Sequence, residues 1–115
     1  MKNFTREELQ CPCCGDCKID PEAGAKLQKL RDILGFPLQI SSGYRCEDHN
    51  MVLKGGSTHP KGIAFDIKTT PLTPKQKHSL IKEGSQIFGA VGAYNSHVHF
   101  DDRKTKEAFW VGISK

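Results

Sequence analysis

The sequence predicts an α+β fold: one small domain with helices packed on a small, largely antiparallel sheet. Three observations carry that expectation. Three segments open with helix-capping signals, and the second keeps its apolar residues on one face. Two others, "GIAFDIK" and "HVHFDD", read as short strands. At 115 residues the chain has room for one hydrophobic core and not for two, so residues 1–115 are taken as one domain with a cysteine-rich N-terminal segment over 1–18.

In chain order, "FTREEL" reads as a helix start. Thr5 caps, Glu8 reaches back from the third helical position, and Phe4 packs on Leu9 as a staple; the helix ends near Pro12. The second helix has Asp20 as N-cap, Pro21 at its first position and Gly35 as its stop, with Ala23, Leu27, Leu30 and Leu34 on one face. "PLQIS" (37–41) follows as a short strand, and "SGYR" as the turn leaving it. After a polar stretch with Gly55 and Gly56, "GIAFDIK" suits a buried strand. Thr73, Pro74 and Gln76 repeat the capping box, opening a helix that runs to about Phe88 and stops at Gly89. "GAVGAYNSHVHFDD" then reads as two strands around a turn at Tyr94–Ser96.

Composition narrows function only a little. The 37% hydrophobic and 26% charged content is that of a folded globular chain, which excludes a disordered or fibrous one. The net charge of +4 favours anionic partners, but Lys and Arg are scattered rather than striped, so nucleic acid is not expected as a partner. "MKNFTREELQ" has no apolar run, so neither a signal peptide nor a membrane anchor is expected, and synthesis should be cytoplasmic.

"CPCCGDC" packs Cys11, Cys13, Cys14 and Cys17 into seven positions, and Cys46 lies far off in "GYRCEDH". An odd cysteine count without an export signal argues against a full disulfide framework. Tetrahedral ligation usually draws on two separated knuckles, and one short loop stiffened by Pro12 would struggle to wrap an ion alone. Three states stay open: a structural metal joining Cys46 to two or three of the cluster, one disulfide, or unligated thiols.

Strand alternation in "HVHFDDR" puts His97, His99, Asp101 and Arg103 on one face and Val98 and Phe100 on the other. His59 lies on the loop before the strand that carries Asp66, on the same side as Ala64. A catalytic zinc takes three protein ligands and an open position. His59, Asp66 and one of His97 and His99 offer such a set; a solvated histidine and an Asp66 bonded to backbone N–H are the plain alternatives.

"SSGYRCEDHN", "GGSTHPKGIAFDI" and "SHVHFDDR", in that order and spacing, resemble the zinc D-alanyl-D-alanine carboxypeptidase and endopeptidase superfamily of bacterial cell-wall metabolism. That superfamily includes vancomycin-resistance dipeptidases, phage endolysin peptidases and a murein endopeptidase branch, and it shares its fold with the Hedgehog signalling domain. The likeness runs from "FTREELQC" to Trp110. It implies that His59, Asp66 and His99 bind one catalytic Zn2+. It further implies that Arg45 faces the substrate and its developing charge, that Ser57 lies near the substrate, and that His97 stabilises the transition state or moves a proton. Many relatives place an acid three residues before the last zinc ligand, where this chain has Ser96. The endopeptidase branch lacks that acid and carries H-x-D, here His99-Phe100-Asp101, so Asp101 is expected as base or as orienter of a ligand, with His97 the other candidate base.

The resemblance thus implies a zinc peptidase acting on peptidoglycan peptides by a zinc-activated water, phage or prophage encoded. It would be monomeric, without membrane contact, and would reach the wall after release or as part of a phage particle. The competing class is an inactive, zinc-stabilised wall-binding module, which Ser96 permits.

Overall fold

The capping signals form the helices they announce. The computed structural model of the chain describes residues 2–52, 58–104 and 107–112, with His49 and Val52 as backbone. The Thr5 side chain accepts from Glu8 N while the Glu8 carboxylate accepts from Thr5 N, opening α1 (Arg6–Leu9). This helix is one turn long, because Gln10 already takes an extended conformation before Pro12 is reached. Phe4 and Leu9 are both buried in the core. Asp20 caps α2 (Pro21–Leu34) through Ala23 N, and Gly35 closes it in the left-handed region at φ 73°. Thr73 and Gln76 form the second capping box, at the head of α4 (Pro74–Ile87).

The strands are β1 (Ile40–Ser42), β2 (Ala64–Lys68), β3 (Ala90–Ala93), β4 (His97–Asp101) and β5 (Ala108–Val111). They form a five-stranded sheet of order β1-β2-β4-β3-β5. All neighbours are antiparallel except β3 and β5. The α+β expectation holds, with the strand near 37–41 shifted toward the C-terminus: Leu38 leaves the ladder and is buried in the core. Two elements had no sequence expectation. One is α3 (Glu47–Val52), directly after the Arg45 turn, and the other is β5, whose neighbour is parallel and distant in sequence.

One sheet face builds the core. Phe65, Ile67, Val91, Val98 and Phe100 lie with Leu27, Leu30 and Leu80 of α2 and α4 in one buried cluster. Gly84 sets the spacing, since a Cβ there would run into the Phe100 ring. Strand alternation therefore sends Asp66, His97, His99 and Asp101 to the opposite face. Among the described residues no helix is long and apolar enough to cross a membrane.

Candidate metal centre

Pairing across the sheet assembles a transverse row. Asp66 stands opposite His99, His99 opposite Gly92, and Gly92 opposite Trp110. Gly92 leaves the space that Trp110 fills, because a Cβ there would overlap the indole. His59 enters from a 3-10 turn (His59–Lys61) closed by Gly62 at φ 72°. That turn is fixed from below: Asp20 N donates to Gly62 O at 2.8 Å, and a Cβ at Gly62 would collide with Lys18 O.

His59 is 2% exposed, and its Nδ1 lies 2.7 Å from Gly43 O. A carbonyl only accepts, so Nδ1 carries the proton and Nε2 presents a lone pair. Nε2 is buried without a hydrogen-bond partner among the described residues and faces Asp66 Oδ2 at 3.4 Å. Two acceptors that close together call for a positive charge between them.

His99 shows the same demand. Its Nδ1 lies 2.9 Å from Asp66 Oδ1 and its Nε2 lies 2.8 Å from Asp101 Oδ2. Burial disfavours the charged ring, but bonds to Asp101 and Asp66 outweigh it and raise the His99 pKa above the ordinary histidine value. For Asp66, burial pushes upward, yet His59 and His99 hold the carboxyl well below the usual carboxylate range. The ligand atoms of His59, Asp66 and His99 all lie within 4.8 Å of one another. A two-nitrogen, one-carboxylate set with an orphaned buried nitrogen fits a zinc ion, which His59, Asp66 and His99 would hold with Nδ1 of His99 deprotonated.

Asp101 sits behind His99, fully buried. Arg103 grips it with Nε on Oδ1 and Nη2 on Oδ2, both at 2.8 Å, and its own backbone N–H adds a 3.1 Å bond to Oδ1. Burial raises the pKa of this carboxyl, but Arg103 and His99 together carry it far below the usual range. Both oxygens are thus committed to groups on the far side of the His99 ring from Asp66.

His97 flanks the row. Its ring stacks on Tyr94 with centroids 4.5 Å apart and planes 10° from parallel, and its Nδ1 meets Ser96 Oγ at 3.1 Å. Trp110 Nε1 donates to Tyr94 Oη at 2.8 Å, and the indole lies 5.5 Å from the His99 ring and 5.5 Å from the Arg103 guanidinium carbon. Burial lowers the His97 pKa, with Asp66 opposing and His99, His59 and Arg45 adding to the fall. Half-buried Arg45 has its pKa lowered by burial against the opposing charge of Asp66, which places it in the electrostatic field of the centre.

Of the residues expected from sequence, the fold brings His59, Asp66 and His99 together, with His97 and Arg45 around them and Asp101 behind. Ser57 lies outside the described residues. Sequence reading missed the Gly43 carbonyl that sets the His59 tautomer, and Tyr94 and Trp110 as an aromatic wall. The first is a backbone group that no residue type announces, and nothing in "AFWV" alone announced the second.

A family model described as Peptidase M15 matches residues 2–101, which spans α1 through β4 and all three candidate ligands. No curated protein matches the chain.

Proposed function

The chain belongs to the peptidase M15 family, a family of zinc peptidases, and from that premise we propose that it hydrolyses peptide bonds of bacterial peptidoglycan. The reaction class is that of a DD- or LD-carboxypeptidase or endopeptidase, in a protein of phage or prophage origin that meets the wall after release or within a phage particle. The observation that carries the catalytic reading is the bare, buried Nε2 of His59 facing Asp66 beside His99 Nδ1. The substrate class rests on the likeness of "SGYR", "STHPKGIAFD" and "HVH" to cell-wall peptidases, and the net charge of +4 suits an anionic wall.

His59 Nε2, Asp66 and His99 Nδ1 would hold the ion. Bound there, zinc supplies Lewis acidity toward the scissile carbonyl and makes a water acidic enough to attack near neutral pH. Asp101 keeps the proton on His99 Nε2, which turns the Nδ1 lone pair toward the site and makes Asp101 a positioning residue. Proton transfer then falls to His97, since the oxygens of Asp101 are occupied and fully buried. Ser96 Oγ on Nδ1 orients that ring, with Nε2 as the nitrogen that exchanges the proton. Arg45 offers a guanidinium to the developing oxyanion, where loss of one donor typically costs roughly 10²–10³ in rate.

Purified sacculi are incubated with zinc-loaded protein, chelated protein and His59→Ala, and new amine termini are identified by mass spectrometry. Zinc-dependent termini, absent with H59A, are expected. A protein that binds zinc and wall but releases no amine under any condition is a binding module, and the enzyme reading fails.

A further inference from the structure

The cysteine cluster is left untouched by that chemistry, and its geometry is organised. Cys11 is fully buried at the head of a tight turn: Gly15 N donates to Cys11 O at 2.8 Å, with Gly15 left-handed at φ 76°. The backbone N–H of Cys46 points at Cys11 Sγ from 3.4 Å, and the nearby N–H groups of Cys14 and Cys13 add to the pull that lowers the pKa of that thiol. Such N–H donors favour a thiolate over a thiol. The Cys46 sulfur arrives from across the fold, 3.6 Å from that of Cys11, and the cysteines are not disulfide-bonded. The sulfurs of Cys11, Cys14 and Cys46 all lie within 4.8 Å of one another.

We propose that Cys11, Cys14 and Cys46 hold a structural zinc ion, distinct from the hydrolytic centre, that clips the N-terminal segment to the loop after β1. Cys11 and Cys14 have the C-x2-C spacing of a zinc knuckle, with a glycine following to turn the chain. Cys46 supplies the separated half that one short loop cannot. The sulfurs that converge are those of Cys11, Cys14 and Cys46, while Cys17 packs against the hydrophobic core.

The clip has a mechanical consequence. Tyr44 N donates to Leu9 O at 2.8 Å, and a Cβ on Gly43 would sit only 2.7 Å from Leu9 O. The segment tied down at Cys11 therefore presses directly on residues 43 and 44. Gly43 O is the acceptor that sets the tautomer of His59, and Arg45 is the neighbour of Cys46. An ion at the cysteines thus braces the loop that orients one ligand and one substrate-facing residue of the other centre. Binding releases thiol protons and involves no electron transfer.

The test uses the full chain purified under reducing conditions, stripped of metal and reloaded. Cobalt-loaded wild type should show thiolate-to-cobalt charge-transfer absorption, which only cysteine ligation produces, and Cys46→Ser should lose it. By elemental analysis wild type should hold a second zinc ion per chain, Cys46→Ser one ion fewer, and His59→Ala should keep the thiolate absorption. Wild type carries the spectroscopic readout by itself, so a variant that fails to fold does not blunt the test. Absence of charge-transfer absorption in the wild type overturns the proposal. So does a peptide map of freshly reduced, reloaded protein that joins Cys11 to Cys46 in a disulfide.

Discussion

Replacing Asp101 by Asn separates a positioning carboxylate from a catalytic one. The wild-type carboxylate accepts from His99 Nε2 at 2.8 Å and from Arg103 through Nε, Nη2 and the backbone N–H. Asn keeps one acceptor oxygen, so its NH2 must face either the His99 N–H or the Arg103 fork. Loss of a charged partner inside the fold costs about 3–5 kcal/mol when both groups are buried. Asp101 is 0% exposed but the Arg103 side chain is 29% exposed and can turn to water, so about 2 kcal/mol is expected here. That corresponds to a Tm drop of roughly 10 °C for a domain of this size. The sharper readout is metal affinity, because a carboxylate bonded to a ligating histidine typically contributes roughly 10–100-fold. Competition with a chromophoric chelator measures it, beside kcat on a soluble stem peptide at saturating zinc. We expect zinc affinity to fall by roughly 10-fold or more and hydrolysis to recover largely when the ion is resupplied. An Asp101→Asn protein with unchanged affinity and abolished kcat would refute the reasoning and make Asp101 the base.

The complementary change, His97→Gln, should lower kcat by roughly 10²–10⁴ with zinc affinity within about twofold of wild type, read in the same two assays. Gly84→Ala should destabilise by about 1–3 kcal/mol in urea unfolding, since the new Cβ meets the ring of Phe100, itself fully buried and unable to retreat. Burial pushes the Asp102 pKa up, but Lys26 at 2.6 Å and Lys104 at 3.0 Å pull it below the usual carboxylate value. Its contribution is therefore present above about pH 4 and is lost as pH falls through the lower folded pKa. The stability gap between wild type and Asp102→Asn should shrink in urea titrations carried from neutral pH into that acid range, and a constant gap would count against the ion pairs.

What was legible in the sequence was what is local. Thr5 with Glu8, Asp20 with Pro21, and Thr73 with Gln76 are contacts within one turn, so their spacing alone predicts them. The face of "HVHFD" follows from the period of a strand, and so His97, His99 and Asp101 were placed together before any pairing was known. Register is another matter. That Asp66 meets His99 directly, and that Trp110 lies beyond Gly92, depends on pairings between strands well separated in the chain; only the His99–Gly92 step lies within a hairpin. β5 could not be anticipated because its parallel partner β3 lies across a long connection, and the Gly43 carbonyl carries no side chain for a pattern to register.

The same distinction clarifies the missing acid at Ser96. In a relative with a carboxylate at that position, one side chain supplies the base. Here the serine hydroxyl lies against the Nδ1 of its neighbour, so the residue that replaces the acid fixes the imidazole beside it. The stacking of that ring on Tyr94, itself tied to Trp110, holds it on the side of the sheet that carries Asp66 and His99. Asp101, which by sequence was the first candidate for proton transfer, is enclosed by Arg103 behind the ring of His99. A base must reach the substrate side of the metal, and under the proposed mechanism His97 has that access while Asp101 does not. Removing the Ser96 hydroxyl should therefore weaken catalysis through the alignment of His97. Ser96→Ala is expected to lower kcat, with the double variant Ser96→Ala/His97→Gln no worse than His97→Gln alone. A fully additive loss in that pair would mean that the hydroxyl acts on its own, and the coupling drawn from the 3.1 Å contact would fall.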